Sequence, residues 1–212
     1  MIKNILFDLD GTLTDSGPGI MNCAKEALRH FNMPIPGEEV LRTIIGPPLQ
    51  DSMIRLGVSP ENVPEAIRVF RKRYSTLGKY ENSPYPGIQE LLAKLKADGH
   101  KLYVATSKPE NMALDIMDHF DLAQYFTCIC GASLDGTRIT KSAVINYLLD
   151  QCGQQDNLLM VGDTAFDVLG AAEHGIDTVG VSWGYGHIDE IKEAGAVDIA
   201  QTMDELYEIL SR

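Results

Sequence analysis

Three short stretches of the sequence carry polar residues of the kinds that handle phosphate and metal ions. Asp8 and Asp10 follow one apolar run, Thr106 and Ser107 follow a second, and Asp163 follows a third. In open α/β sheets, ligands bind beyond the carboxyl ends of the strands. If the three runs are neighbouring parallel strands, we expect these side chains to meet in one crevice.

The chemistry these residues suggest is metal-assisted phosphoryl transfer. Asp8, Asp10 and Asp163 offer carboxylate oxygens, the ligands that suit Mg²⁺. A carboxylate can also attack phosphorus and form an aspartyl-phosphate. Lys141 would neutralise charge on the transferring group, and Thr106 would donate a hydrogen bond to one of its oxygens.

Each of these residues taken alone has an ordinary structural explanation. Asp10 followed by Gly11 is common turn chemistry, although Gly11 would also let backbone N–H groups approach an anion. Lys141 alone is compatible with a solvated helix, and Asp167 favours a helix N-terminus in any protein. It is their convergence at predicted strand ends that favours a catalytic site.

Apolar runs alternate with amphipathic helical patterns along most of the chain. The predicted strands span residues 2–10, 101–105, 125–130, 158–161, 178–181 and 196–200. The predicted helices between and after them span residues 87–98, 109–120, 141–151, 165–174 and 203–210. This alternation predicts an α/β fold with a Rossmann-like, doubly wound parallel sheet and right-handed crossovers.

One stretch, residues 17–83, interrupts this alternation with helical patterns and no convincing strand. The predicted helices there span residues 20–31, 38–45, 49–56 and 63–77. We expect an all-helical cap of residues 15–83 inserted into a core of residues 1–14 and 84–212. The alternative is that these helices pack on the sheet within a single domain.

The charge balance limits the classes of partner. With 18 basic and 30 acidic residues, the chain has a formal net charge of −12. We therefore expect no nucleic acid polymer as a partner, because binding the phosphate backbone needs a basic surface. No apolar run is long enough to predict a membrane span. A small phosphorylated metabolite remains compatible, since a metal ion and one lysine can make a local positive pocket.

Cysteine usage and the N-terminus indicate a cytoplasmic protein. The four cysteines form no C-x-x-C pattern and are predicted to be free thiols in a reducing compartment. The first residues lack the charged and apolar regions of a signal peptide. The sequence leaves the oligomeric state open.

Four segments together resemble the motifs of the haloacid dehalogenase superfamily, in the family's order. They are Phe7-Asp8-Leu9-Asp10-Gly11-Thr12, Val104-Ala105-Thr106-Ser107, Lys141 within Arg138-Ile139-Thr140-Lys141-Ser142, and Val161-Gly162-Asp163-Thr164-Ala165-Phe166-Asp167. The resemblance covers essentially the whole chain. It implies an α/β core with a cap and Mg²⁺ as the cofactor.

The resemblance also implies a role for each residue. Asp8 would be the nucleophile and a metal ligand. Asp10 would act as general acid and then as general base, and its backbone carbonyl would ligate the metal. Asp163 would ligate Mg²⁺ directly, whereas Asp167 would act behind the ligands or through water. Lys141 would bridge the nucleophile and the phosphate.

Further site residues follow from the same resemblance. Gly11, Thr106 and Ser107 would bind the phosphate together with the motif lysine. In the cap, Gly46 and Pro47 belong to a rigid turn that, in similar proteins, reaches the active site and affects specificity.

The reaction implied is hydrolysis of a phosphomonoester. Dehalogenases of this superfamily lack a carboxylate at the position of Asp10, because their leaving group needs no proton. One alternative is a phosphomutase of the β-phosphoglucomutase type, which shares all four motifs. Another is a non-catalytic phospho-receiver module, although receivers lack an acid in the role of Asp10 and have no cap.

The substrate is left open between two subgroups. The pattern resembles phosphoglycolate phosphatases, but Thr140-Lys141-Ser142-Ala143 stands where many of these have Lys-Pro-x-Pro. The cap turn and Gly184-Tyr185-Gly186 look more like a bacterial 5′-nucleotidase-like subgroup. Sugar phosphates and pyrophosphate also remain candidates, and the sequence leaves open whether His187 contributes to the site.

Overall fold

The computed structural model describes residues 3–153 and 156–212, and a parallel sheet lies at its centre. The strands of the described residues are β1 (Asn4–Phe7), β2 (Thr14–Asp15), β3 (Ser83–Pro84), β4 (Lys101–Pro109), β5 (Cys128–Ala132), β6 (Leu158–Gly162), β7 (Asp177–Val181) and β8 (Asp198–Ala200). Six of them form one sheet in the order β5-β4-β1-β6-β7-β8. Every pairing in this sheet is parallel.

Ten helices accompany these strands in the described part of the chain. They are α1 (Gly17–His30), α2 (Glu38–Arg42), α3 (Leu49–Arg55), α4 (Val63–Thr76), α5 (Ile88–Ala97), α6 (Glu110–His119), α7 (Lys141–Cys152), α8 (Ala165–Ala172), α9 (Ile188–Glu193) and α10 (Met203–Ser211). The chain divides into two units, Met1–Thr14 with Pro84–Arg212, and Asp15–Ser83.

The central strand β1 shows why the sheet is covered on both faces. Ile5, Leu6 and Phe7 are fully buried. Ile5 and Phe7 pack with residues of α5, α6 and α10, whereas Leu6 packs with residues of α7 and α8. Successive side chains of a strand point to opposite faces, so a continuous apolar run needs helices on both sides. The predicted doubly wound α/β class is confirmed.

Several predicted boundaries were wrong. The predicted strand 2–10 ends at Phe7, because the chain turns and the N–H groups of Leu13 and Thr14 donate to Leu9 O at 2.9 and 3.0 Å. Ile2 lies outside the described residues. The predicted strand 125–130 begins only at Cys128, because Ala123–Tyr125 form a 3₁₀ turn.

Two other elements differ from the prediction. β4 continues past residue 105 to Pro109, with an irregular pairing to β5 between Ala105 and Pro109. Helix α9 was not predicted, because its six residues are too few to show a clear helical period.

The unit Asp15–Ser83 contains helices α1 to α4. Helix α1 passes close to the segment after α4, since a Cβ atom on Gly19 would lie 2.0 Å from the carbonyl oxygen of Gly78. An ion pair of 2.7 Å between Arg73 and Glu81 also stabilises this unit. The short strands β2 and β3 pair with each other in a second, two-stranded sheet.

The four cysteines, Cys23, Cys128, Cys130 and Cys152, are free thiols, as predicted. Among the residues described, no helix combines the length and the apolar character that crossing a membrane requires.

Candidate active site

The carboxyl end of the central strand β1 leads directly into Asp8. The N–H of Asp8 donates to Val161 O of β6 at 2.9 Å, so the sheet pairing continues one residue past β1. Gly11 then turns the chain with a φ of 86°. A Cβ atom on Gly11 would lie 2.2 Å from Oδ2 of Asp163. Glycine is needed here both for the positive φ and for the close approach of that carboxylate.

Lys141 joins two of the acids. Its Nζ lies 2.8 Å from Oδ1 of Asp8 and 2.7 Å from Oδ1 of Asp167. It also donates to the carbonyl oxygen of Ala105, at 2.9 Å. The side chain is 3% exposed, so this ammonium is held by three oxygen partners in the interior. The hydroxyl of Thr140 caps α7 by accepting from the third residue of the helix, and this cap fixes the position of Lys141.

Asp167 is both a helix cap and a partner of Lys141. Its Oδ2 accepts hydrogen bonds from the backbone N–H and the hydroxyl of Thr164, at 3.0 and 2.9 Å. Its Oδ1 faces Lys141. A Cβ atom on Gly162 would lie 2.3 Å from Cγ of Asp167, so the strand end accommodates this carboxylate only because residue 162 is glycine. The structural and the electrostatic explanations of Asp167 are therefore compatible.

Asp163 is fully buried, and each of its carboxylate oxygens accepts a hydrogen bond. Its Oδ2 accepts from the N–H of Tyr185 at 2.8 Å, and its Oδ1 accepts from the hydroxyl of Thr12 at 3.1 Å. Cβ atoms on Gly184 and Gly186 would lie 2.3 Å from Cβ and 2.1 Å from the carbonyl oxygen of Asp163. The loop after β7 therefore packs its backbone directly on this residue.

Oxygens of Asp8, Asp163 and Asp167 lie within 4.8 Å of one another. Burial raises the pKa of Asp8 from 3.8 to about 6, with a further contribution from Asp167 and an opposing one from Lys141. Burial, Asp167 and Asp8 also raise the pKa of Asp163 well above its usual value. Burial alone would lower the pKa of Lys141, but the charges of Asp167 and Asp8 hold it above its ordinary value. This cluster could hold a cation, which would offset the repulsion between the acids.

Asp10 is not one of these three acids and pairs instead with Lys108. Nζ of Lys108 is 2.5 Å from Oδ2 of Asp10, and the two side chains are 5% and 18% exposed. Lys108 was not singled out by the sequence reasoning. Its signal was its place directly after Thr106 and Ser107 at a strand end.

Thr106 and Ser107 lie in β4, beside β1. Val104 pairs in register with Phe7, which places Ala105 level with Asp8 and Thr106 one residue beyond. Thr106 is buried and its hydroxyl accepts from the N–H of Lys108 at 3.2 Å. Ser107 is exposed.

The remaining predicted residues lie elsewhere in the chain. Gly46, with a φ of 103°, and Pro47 precede α3 in the unit Asp15–Ser83. Their contribution to specificity stays a prediction. His187 immediately precedes α9 and follows the loop that grips Asp163.

The contacts of the loop after β7 with Asp163 were not predicted, because a hydrogen bond from a backbone N–H cannot be recognised from the type of side chain. Gly184 and Gly186 on either side of Tyr185 were the available signal, since glycines after a strand often mark a close backbone approach. Thr12 was recognisable from the sequence only as part of the first motif.

Comparison with known proteins agrees with this geometry. The family model for haloacid dehalogenase-like hydrolases matches residues 5–181. Tyrosine-protein kinase PtkA of Mycobacterium tuberculosis is 44% identical, over 97% of this chain and 72% of that protein. Its solved structure covers 100% of this chain and 99% of its own with a TM-score of 0.89.

Two further matches carry phosphatase names. A 5′-nucleotidase of Pseudomonas aeruginosa is 44% identical, over 89% of this chain and 86% of that protein. The crystal structure of a predicted phosphatase from Clostridium acetobutylicum is 40% identical, with a TM-score of 0.92 and full coverage of both chains. The chain therefore belongs to the haloacid dehalogenase-like hydrolase family.

Proposed function

We propose that this protein is a Mg²⁺-dependent phosphatase that hydrolyses a small phosphomonoester through a phosphoryl group on Asp8. The observation that carries the proposal is the position of Asp8. Its carboxylate lies at the end of the central strand, 2.8 Å from a buried lysine. A carboxylate beside a fixed cation is suited to attack a phosphoryl group whose charge the same cation neutralises.

The acid cluster fits Mg²⁺ as the cofactor. Asp8 and Asp163, whose oxygens lie within 4.8 Å of each other and of Asp167, supply hard oxygen ligands, and both have raised pKa values that a bound cation would lower. Asp8, Asp163 and the backbone carbonyl of Asp10 would hold the ion, with Asp167 behind them. When bound, Mg²⁺ supplies charge neutralisation at the transferring phosphoryl group.

Different residues of the chain carry out nucleophilic attack, proton transfer and binding of the phosphoryl oxygens. Asp8 attacks phosphorus and displaces the leaving oxygen, which takes a proton from Asp10. Asp10 then accepts a proton from the water that attacks phosphorus and releases Asp8. Lys141, the hydroxyl of Thr106, and the backbone of Gly11 with Ser107 hold the phosphoryl oxygens during both steps.

The alternatives predict different behaviour. A phosphomutase of the β-phosphoglucomutase type would require a bisphosphate activator. A phospho-receiver would accept a phosphoryl group without rapid turnover. A kinase, as one relative is named, would transfer phosphate from ATP to tyrosine. Asp10, placed two residues after the nucleophile, favours turnover over the receiver alternative, because it can activate water once the first product has left. Phosphomutases share this acid, so the bisphosphate requirement is what separates them from a phosphatase.

We propose nucleoside 5′-monophosphates as the first substrate class to examine, with phosphoglycolate second. The support is the nucleotidase name of one relative and the absence of Lys-Pro-x-Pro around Lys141. Gly46 and Pro47 are the proposed specificity residues of the helical unit. The proposed partners are small metabolites only.

The function is tested by measuring phosphate release from nucleotides, phosphoglycolate, sugar phosphates and pyrophosphate, with Mg²⁺ and with excess chelator. We expect turnover of at least one phosphomonoester that stops in chelator and returns with Mg²⁺. Full activity in chelator contradicts the metal requirement. Tyrosine phosphorylation from ATP without phosphate release would favour the kinase alternative.

The raised pKa of Asp8 gives the metal-free protein a characteristic pH dependence. Because the folded-state pKa, about 6, exceeds the ordinary value of 3.8, the folded state binds the proton more tightly than the unfolded state. The contribution of this group to stability is therefore present at low pH and is lost as pH rises from about 4 to above 6.

The measurement is the melting temperature in chelator at pH 5.0 and pH 7.5 for the wild type and Asp8→Asn. Because the variant lacks the titrating group, the wild type should lose stability relative to it on going to the higher pH. Adding Mg²⁺ should restore the wild type at pH 7.5. A constant difference between the two proteins across this range contradicts the assignment.

Substituting Gly184 with alanine should weaken Mg²⁺ binding. The new Cβ atom would lie 2.3 Å from Cβ of Asp163, so the carboxylate must move. Loss of outer support typically costs about 10- to 100-fold in metal affinity, and we expect a similar rise in the Mg²⁺ concentration for half-maximal activity. The control is Gly37→Ala, where nothing lies within 4 Å of the added atom. Identical Mg²⁺ titrations for both variants would refute the proposed support.

A further inference from the structure

The ion pair between Lys108 and Asp10 leaves the two oxygens of the Asp10 carboxylate in different surroundings. Nζ of Lys108 lies 2.5 Å from Oδ2 of Asp10. Oδ1 of the same carboxylate is buried and accepts no hydrogen bond from the described residues. Buried polar atoms without a partner are rare in folded proteins, so an oxygen of this kind at a proposed active site suggests a ligand that completes it.

The lysine itself is firmly positioned. Its side chain is 5% exposed, and charged lysines are seldom buried to this extent without a partner of opposite charge. Its backbone N–H donates to the hydroxyl of Thr106 at 3.2 Å. A Cβ atom on Gly131 of β5 would lie 2.6 Å from the carbonyl oxygen of Lys108, so the neighbouring strand packs closely against this segment. The ammonium therefore extends from a closely packed strand end.

We propose that Lys108 is a positioning residue that holds Oδ2 of Asp10 and thereby presents Oδ1 to the leaving-group oxygen. The inference rests on the proposed function, in which Asp10 is the general acid and base. In the first step the proton on Oδ1 moves to the leaving oxygen as the bond from that oxygen to phosphorus breaks. In the second step Oδ1 takes a proton from the attacking water. Lys108 exchanges no proton with the substrate.

The geometry predicts an effect that depends on the leaving group. An alkoxide needs a proton as it leaves, whereas p-nitrophenolate leaves without one. Methionine keeps most of the apolar stem of Lys108 and removes only the charge. In Lys108→Met we expect kcat/KM to fall about 100-fold for an alkyl phosphate and less than about 5-fold for p-nitrophenyl phosphate. Lys108→Arg should recover much of the alkyl phosphate activity.

The control is Lys101→Met at the opposite, exposed end of the same strand, which should leave both rates unchanged. A double-mutant cycle separates positioning from general damage. If Lys108 acts through Asp10, then adding Lys108→Met to Asp10→Asn should cost less than about 3-fold on the alkyl phosphate, because the two changes remove one interaction.

The possible outcomes separate a failure of the positioning role of Lys108 from a failure of the proposed phosphatase function. Equal losses on both substrates, or additive losses in the double variant, overturn the positioning role while leaving the phosphatase intact. A wild type that hydrolyses no phosphomonoester overturns both. Far-ultraviolet circular dichroism and melting temperatures of each variant exclude misfolding as the cause of a loss, and Lys108→Arg provides a second folded variant.

Discussion

Replacing Asp8 with asparagine is expected to lower kcat for phosphomonoester hydrolysis by at least about 10⁴-fold. The amide has nearly the same shape as the carboxylate, so the strand end should keep its structure. An amide oxygen is a poor nucleophile and a weaker ligand for Mg²⁺ than a carboxylate. The single substitution therefore removes both roles proposed for Asp8.

The matched control is Asp118→Asn on the exposed face of α6, which should retain wild-type kinetics. Initial rates with p-nitrophenyl phosphate and with the best metabolite substrate provide the comparison. Melting temperatures should be measured together with the rates, to show that any loss of activity in Asp8→Asn does not come from unfolding. Residual turnover within about 10-fold of the wild type would contradict a nucleophilic Asp8.

Substituting Lys141 with methionine is expected to damage both activity and stability. The ammonium lies 2.8 Å from Asp8 and 2.7 Å from Asp167, and its side chain is 3% exposed. Removing one partner of a buried ion pair leaves uncompensated charge, which costs on the order of 3–5 kcal/mol. Loss of the charge that we propose stabilises the transferring phosphoryl group should lower kcat by about 10³-fold.

Urea unfolding in chelator measures the stability change, and initial rates with saturating Mg²⁺ measure the catalytic one. Lys192→Met on the exposed side of α9 is the control and should change neither quantity. Lowering the pH should recover part of the lost stability. Lys141 lowers the pKa of Asp8, so without it Asp8 takes up a proton more readily, which removes one of the unpaired charges. A Lys141→Met protein as stable and active as the control would show that the ion pairs of Lys141 contribute neither to stability nor to catalysis.

The sequence was most informative where one pattern of residues indicates both a structural element and the chemical groups that it positions. A continuous apolar run followed by acids marks both a buried parallel strand and the strand end at which the proposed site lies. This is why Asp8, Asp163 and the sheet could be anticipated, and why Lys141 could be assigned to a helix start. The strand boundaries were less predictable, because the turn after Leu9 depends on backbone hydrogen bonds rather than on residue type.

Other parts of the site depend on which strands are neighbours. Lys108 meets Asp10 across 98 residues of sequence because β4 lies beside β1, and composition does not encode that adjacency. The contact of Tyr185 with Asp163 uses a backbone N–H, which every residue except proline carries. Such contacts emerge only from the folded chain.

The covalent role of Asp8 is tested most directly by stopping the reaction in acid during steady-state turnover and locating phosphate on the protein by mass spectrometry. We expect a phosphoryl group on the peptide that contains Asp8, sensitive to hydroxylamine as acyl phosphates are, and absent from Asp8→Asn. Phosphate on a different residue, or a phosphorylated Asp8→Asn protein, would contradict it.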